Sequence, residues 1–490
     1  MKKLVNLRHA AGPRPFSHVK FYDLMNSYVL FRIVHSDFLF RHSEEILRNV
    51  RRIFGDRMFF WGLKQTIGRQ FTCGETVGEA SSVVRSLTHS GFKVAVNYMA
   101  EFDRGESRES AFDDNLKKYL ESVRINKFAG RPFFVGIKVS ALVDFALLEE
   151  ASRRQEEADK FFLDVKGASQ FERPISELAK ALEARQLASR AEIDDFLAKI
   201  KLFSKGDSLH FGEWRLGMSF FHNFRPELNG HPVHRNFYRW SEHDSTRLEA
   251  LFRRMREVCQ VISDSDSLML GDAEQSYFFA AITNIIEQMQ MIYNKKTPVV
   301  YNTVQAYLIR SKPYIDYEIS KARLIGASYP LALKLVRGAY IVEENELEKK
   351  HGIDIVHDSK TETDENYNLC AELMANSLRE NDRFIIASHN EPSVLKMIAK
   401  AQEDPALKEK IIFATLLGLS DYMTIAVKNL GFTAMKYIPY GESYITLPYL
   451  LRRSVEARKM ALEDHELIPK LKEEMQIRLK LRRDLSEKSK

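Results

Sequence analysis

A chain of 490 residues with 29% charged and 44% hydrophobic side chains has an ordinary globular composition. It has room for one large barrel with additions or for several domains, and its net charge of +6 gives no case for a dedicated nucleic-acid binder. Three widely separated cysteines, Cys73, Cys259 and Cys370, exclude a disulfide framework and a zinc spacing, and point to a reducing compartment.

The first 22 residues hold Lys2, Lys3, Arg8, Arg14 and Lys20 and no acid. That pattern suits a mitochondrial targeting segment or a plain basic chain end. The most apolar early stretch, "YVLFRIVHSDFLF" from Tyr28, is broken by Arg32, His35 and Asp37. It reads as an amphipathic helix rather than a membrane span, within a helical arm over residues 1–75. Thr76 and Glu79 then stand at capping-box spacing and open a helix that ends at Gly91. The apolar run "FKVAVNYMAE" follows.

That alternation recurs. "FFVGIKVSAL" starts at Phe133, "SLMLGDAE" at Ser267, "VVYNTVQAYL" at Val299 and "ALKLVRGAY" at Ala332. "RFIIASHN" starts at Arg383, "IIFATLLGL" at Ile411 and "TAMKYIPYG" at Thr433. Short continuous apolar runs between helical patterns are the signature of a parallel sheet buried on both faces. Eight of them predict an α/β fold, a closed (βα)8 TIM-type barrel, with an open doubly wound sheet as the alternative. The long charged stretch between the second and third runs predicts a helical insertion. The expected organisation is an arm over 1–75, the first part of the barrel over 76–142 and a mainly helical insertion over 143–262. The rest of the barrel follows over 263–462, then a charged helix or tail over 463–490.

Polar groups close the runs: Lys138, Asp272, Gln305, Lys334, Arg337, His389, Asn390 and Tyr437. In barrels the C-terminal strand ends carry the active site, so these residues are expected to converge. No Rossmann glycine fingerprint, Walker loop or zinc-protease motif is present. His222, His231 and His234 lack metal-ligand spacing and read as a polar loop, so no metal site is expected. After the last run comes "PYLLRRSVEAR", with Pro448 near a helix start and Arg452 and Arg453 in its second turn. Glu456, four residues after Arg452, suggests a surface ion pair, whereas the adjacent arginines suggest a clamp for a carboxylate.

"DAEQSYFFAAI", "YNTVQAYL", "KLVRGAY", "ASHNEPSV" and "YIPYGESYITLPYLLRRSVE", taken in order, resemble the proline dehydrogenases, flavoenzymes built on a (βα)8 barrel. The resemblance runs from about Thr72 to Met460, more weakly across the insertion. It implies oxidation of L-proline to Δ1-pyrroline-5-carboxylate by FAD lying across the barrel mouth, which accounts for the missing Rossmann fingerprint. It also implies a membrane quinone as acceptor, peripheral membrane contact, and a mitochondrial location on the matrix side of the inner membrane.

Residue by residue, the resemblance implies that Arg452 and Arg453 overhang the mouth and hold the substrate carboxylate with Lys138, a group costly to bury unpaired. It implies that Glu101 pairs with the first arginine and gates the pocket. Tyr437 packs on the substrate ring and favours proline over hydroxyproline, Tyr449 lines the pocket, and Asp272 holds Tyr437 or Lys334. For FAD it implies Lys334 beside flavin N5, where some members have arginine. Gln305 and Ala273 stand at the flavin edge, with Val336, Gly338, Ala339 and Tyr340 where small residues admit the ring. Lys360 and Thr363 contact pyrophosphate and ribose. Ala387, Ser388, His389, Asn390 and Leu416 line the adenosine side, and Glu456 supports the cofactor. Ala457 departs from the asparagine common after that glutamate. The rival readings are a hydroxyproline dehydrogenase of the same family, a flavin-free barrel lyase using Lys138 or Lys334 as a Schiff-base amine, and a non-catalytic scaffold.

Overall fold

The computed structural model describes residues 6–17, 19–99, 108–167, 169–204, 206–219, 228, 231–324 and 329–488. Eight parallel strands close into one barrel: β1 Lys93–Tyr98, β2 Phe133–Ile137, β3 Ser267–Gly271, β4 Val300–Gln305, β5 Ala332–Val336, β6 Arg383–Ala387, β7 Ile411–Leu416 and β8 Thr433–Tyr440. Neighbours follow chain order, and β1 pairs with β8 to close the ring. All eight apolar runs of the sequence form these strands. They lack a two-residue alternation because both faces are buried. Phe134, Leu270, Tyr301, Ile385 and Met435 fill the interior, while the outward side chains pack against the surrounding helices.

The inserted chain lies between β2 and β3. Its long helices are Phe145–Asp164 and Glu242–Asp264, and it also holds an antiparallel pair, Glu172–Pro174 with Ser208–His210. Those three-residue strands are too short to announce themselves by periodicity. A buried ion network fastens the insertion to the barrel. Arg215 lies 3.3 Å from Glu287 and 3.1 Å from the hydroxyl of Thr283, and also pairs with Asp159. Lys321 and the hydroxyls of Tyr314 and Tyr317 complete the surroundings of Glu287. His231 caps the helix Pro232–Phe237, and His234 bonds the carbonyl of Ser219, so both have structural partners. His222 lies outside the described residues.

Four helices frame one side of the barrel: α1 Phe21–His35, α2 Ser43–Leu63, α3 Ser443–Glu463 and α4 Leu467–Lys488. α1 packs on α3 and α4, and α2 also touches α3. α2 bends at Gly55, whose φ of 72° lies in the left-handed region that glycine tolerates. The early basic residues have structural work here. Arg8 pairs with Asp464 at 2.8 Å, and Arg14 grips Glu474 through two bonds of 2.9 and 2.8 Å. Arg478 of the charged tail donates to the carbonyls of Phe16, Ser17 and Val19.

Candidate active site

Asp272 directly follows β3 and is the centre of the barrel mouth. Its Oδ1 accepts from Lys334 Nζ at 2.7 Å, and its Oδ2 accepts from Tyr437 Oη at 2.5 Å and from Asn97 Nδ2 at 3.1 Å. One carboxylate therefore ties together β1, β3, β5 and β8. The sequence reading had Asp272 holding Tyr437 or Lys334; it holds both. Neither partner closes its strand, since Lys334 and Tyr437 lie within β5 and β8 and point into the barrel. The Lys334 ammonium also sits 5.0 Å from the centre of the Tyr437 ring. Burial, reinforced by the Asp272 charge, lifts the Tyr437 hydroxyl well above its ordinary pKa, so it remains a donor. A Cβ on Gly136 of β2 would lie 2.3 Å from the Tyr437 hydroxyl, so glycine makes room for this tyrosine.

A second buried carboxylate stands two residues on. Glu274 accepts from the backbone N–H of Ser140 at 3.0 Å and from the Ser140 hydroxyl. Burial pushes its pKa up, opposed by the charge of buried Lys138 and by the Ser140 bonds. Gln305 Nε2 donates to the Glu274 carbonyl at 2.8 Å, which fixes the amide at the end of β4. Glu274 and Asn97 were missed in the sequence. Their signal was present: "NYMAE" and "GDAE" place polar side chains in or directly after strands that are otherwise apolar.

The arginine helix starts earlier than expected. α3 begins at Ser443, whose N–H and hydroxyl bond Glu75 Oε1, so Pro448 lies inside it and the arginines fall in its third turn. Glu456 pairs with Arg453 at 2.7 Å, three residues away, and not with Arg452 as the surface-pair reading supposed. Successive residues diverge by about 100° around a helix, so the two arginines point to different sides. Arg453 is buried and its guanidinium lies 5.1 Å from the centre of the Tyr449 ring, while Arg452 is half-buried. Among the described residues, Arg453 Nε and the Tyr449 hydroxyl are buried polar atoms without a hydrogen-bond partner. Glu101 lies outside the described residues.

At the end of β6, burial drives His389 down to about 3, with the charges of Lys436, Arg453 and Arg337 adding to the effect. It is therefore neutral, and its Nδ1 lies 3.2 Å from the Ser420 hydroxyl. Ser388 receives Arg337 at 2.6 Å, and the Asn390 side chain caps the helix Glu391–Glu403. Ala387 joins the barrel interior and Leu416 packs toward the arm. Val336 stands opposite Gln305 in the strand register, and Ala273 and Tyr340 are half-buried beside the mouth.

Two of the residues expected at the cofactor also have neighbours within the chain. At Gly338, expected to be small for a flavin, a Cβ would fall 1.5 Å from the ring of Tyr307. Tyr307 and a φ of 137° by themselves call for glycine, with exposed Ala339 following it. Lys360, expected as a phosphate contact, pairs with Asp364 at 2.5 Å, and Asp364 also receives Arg337 at 2.6 Å. A lysine four residues before an aspartate on one helix finds that partner locally. Thr363 is buried on the same helix.

The sequence pattern of the family described as Proline dehydrogenase matches residues 80–463. The chain is 26% identical over 462 residues to a hydroxyproline dehydrogenase of Xenopus laevis, covering 91% of this chain and 86% of that one. It is 23% identical over 517 residues to human proline dehydrogenase 1, mitochondrial, covering 91% and 85%. Among solved structures, proline utilization A from Bdellovibrio bacteriovorus, inactivated by N-propargylglycine, superposes with a TM-score of 0.56 at 18% identity. That match covers 91% of this chain and 38% of the longer one, and it carries the fold alone.

Proposed function

The chain belongs to the proline dehydrogenase family, and on that premise we propose that it oxidises L-proline to Δ1-pyrroline-5-carboxylate with bound FAD and passes the electrons to a membrane quinone. The observation that carries the reading is the meeting of Asp272, Lys334 and Tyr437 from three parts of the barrel at its mouth. The mitochondrial names of the human and Arabidopsis thaliana relatives support a mitochondrial location, here proposed as the matrix side of the inner membrane.

The residues at the mouth fit both ligands. Arg453 Nε and the Tyr449 hydroxyl are buried donors without a partner among the described residues, which suits the carboxylate of a small amino acid. Arg452, Arg453 and Lys138 are the proposed clamp, with Glu101 as its gate and Tyr437 and Tyr449 as its walls. Lys334, Gln305, Val336 and Ala273 are proposed at the flavin ring, with Gly338, Ala339 and Tyr340 beside it. Lys360 and Thr363 are proposed toward the pyrophosphate. Ala387, Ser388, His389, Asn390 and Leu416 are proposed at the adenosine end, with Glu456 beneath.

When bound, FAD supplies the two-electron acceptor for hydride leaving the ring carbon beside nitrogen. The chain's own part is positional. The arginines fix the carboxylate and so aim the ring carbon. Asp272 holds the Tyr437 ring as a wall and holds the Lys334 cation in place. A fixed cation at that point favours the electron-rich reduced state of a neighbouring ring system.

The test is a visible spectrum of purified protein before and after anaerobic proline. We expect a flavin spectrum that proline bleaches. A colourless protein that neither takes up FAD nor turns over proline would sink the reading.

A further inference from the structure

The helix that carries the arginine pair does not cap itself. Glu442, at its N-cap position, makes no side-chain bond to the first turn, and its carboxylate takes the Tyr98 hydroxyl at 3.3 Å instead. The first N–H groups of a helix have no partner within it, so partners must come from elsewhere. Glu75 supplies one. Its Oε1 accepts from the Ser443 N–H at 3.1 Å and from the Ser443 hydroxyl. The same carboxylate places a negative charge at the positive end of the α3 dipole.

Glu75 is itself fixed. Lys64, the residue after α2, donates to Glu75 Oε2 at 3.0 Å and to Glu79 at 2.8 Å. The Glu75 N–H donates to Glu79 Oε2 at 2.7 Å. The two residues before Glu75 run against the end of β8: the Cys73 N–H bonds the Pro439 carbonyl at 2.8 Å, and the Gly441 N–H bonds the Gly74 carbonyl at 3.1 Å. Gly74 has a φ of 111°, and a Cβ there would fall 2.5 Å from the Glu79 Cβ, so this close approach needs glycine.

The same grip recurs at the mouth. Glu274 takes the N–H and the hydroxyl of Ser140, in the turn Val139–Leu142 that directly follows Lys138. Glu344 takes the N–H of Ser276 at 2.7 Å and its hydroxyl at 2.5 Å, at the start of the turn Ser276–Phe278. All three serines are buried. Two of the three gripped elements stand next to or carry the cations proposed to hold the substrate: Lys138 precedes one, and Arg452 and Arg453 lie on another.

We propose that Glu75 is a positioning residue for the arginine clamp, setting the tilt and rotation of α3 through Ser443 and tying them to the helical arm through Lys64. Arg453 lies ten residues beyond Ser443, about 15 Å along the helix. A small change of tilt at the first turn therefore becomes a displacement at the guanidinium, and a two-point contact with a carboxylate tolerates little of it. The substrate carboxylate keeps its charge while the ring is oxidised, so the clamp grips ground state and transition state alike. Misplacing it should raise KM and leave kcat nearly as it was. What α3 binds rests on the function proposed above; the grip of Glu75 on Ser443 does not.

The experiment uses the flavin-loaded full chain. Glu75→Ala should raise KM for proline roughly tenfold, with kcat changed by less than about twofold and flavin content unaltered. Competitive inhibition by cyclopentanecarboxylate, which has the carboxylate but no nitrogen, should weaken by the same factor. Glu75→Gln keeps a carbonyl oxygen for Ser443 and should stay near wild type. Hydrogen exchange read without proline should quicken in the first turns of α3 in Glu75→Ala. Unchanged KM and inhibition in Glu75→Ala would overturn the proposal, because packing against α1 would then suffice to set α3. Equal losses in Glu75→Ala and Glu75→Gln would overturn it too, since the charge facing Lys64 and not the grip on Ser443 would be at work. Should Glu75→Ala fail to fold, Ser443→Ala decides: a smaller rise in KM supports the proposal and none overturns it. A wild-type protein that proline does not bleach defeats the proposed function, whereas unchanged exchange in α3 defeats the role of Glu75 whatever the substrate.

Discussion

Asp272 accepts from three different side chains, and its value lies in what it immobilises. A different principle applies to Arg453: a buried guanidinium with an unused donor is poised for an anion. We predict that Arg452→Met and Arg453→Met each lower kcat/KM for proline by roughly thirtyfold or more, the loss expected when one partner of a buried charge pair is removed. Steady-state kinetics check this. Near-normal values for both would show that neither arginine holds the substrate carboxylate. Tyr437 sets a second test. Its hydroxyl is committed to Asp272, so its ring is a fixed wall. A fixed wall leaves no room for an extra hydroxyl on the substrate, and overpacking costs about 1–3 kcal/mol. Tyr437→Ser should therefore shift the ratio of kcat/KM for hydroxyproline over proline upward. The Xenopus laevis relative makes hydroxyproline the substrate to compare. An unchanged ratio would mean that Tyr437 does not face the ring.

Helices and strands set the next scale. The insertion is joined to the barrel through Arg215, which is buried between Asp159 and Glu287. Burial opposes ionisation of Glu287, yet the charges of Arg215 and Lys321 hold it below the ordinary carboxylate range. Removing one partner of such a pair leaves a buried charge uncompensated, at about 3–5 kcal/mol. Arg215→Met is expected to lower the melting temperature and open the insertion to limited proteolysis. An unchanged midpoint and digestion pattern would show that the network does not fasten the two parts. Sequence patterning could not see this network. Asp159, Arg215, Glu287 and Lys321 sit on four separate helices, and each alone reads as an ordinary surface charge.

For the molecule as a whole, acidity should matter through His389. Its pKa is pushed from the ordinary 6.5 down to about 3 in the folded chain. Between those values the unfolded chain binds a proton that the folded chain refuses, so stability falls as pH drops below the unfolded value. Thermal midpoints should decline on acidification, with His389 supplying at most about 1.4 kcal/mol per pH unit. His389→Gln should flatten that slope, and a slope identical to wild type would remove His389 from the account.

The barrel was legible in the sequence for a physical reason: strands buried on both faces must be continuously apolar, and eight such runs leave few alternatives. Lys138, Asp272 and Gln305 were visible because a polar residue ends each of those runs. Lys334 and Tyr437 were visible as polar interruptions, but whether they face the interior or the helices depends on strand register, which composition does not report. The demand of Tyr307 for Gly338, the choice of Arg453 by Glu456, and the meeting of Asn97 with Asp272 were decided only in three dimensions. The first and last depend on contacts between side chains far apart along the chain, and the second on which of two adjacent helix positions lies beside the glutamate. Local pattern determined the eight strands and which residues end them; closure of the ring determined which of those residues touch.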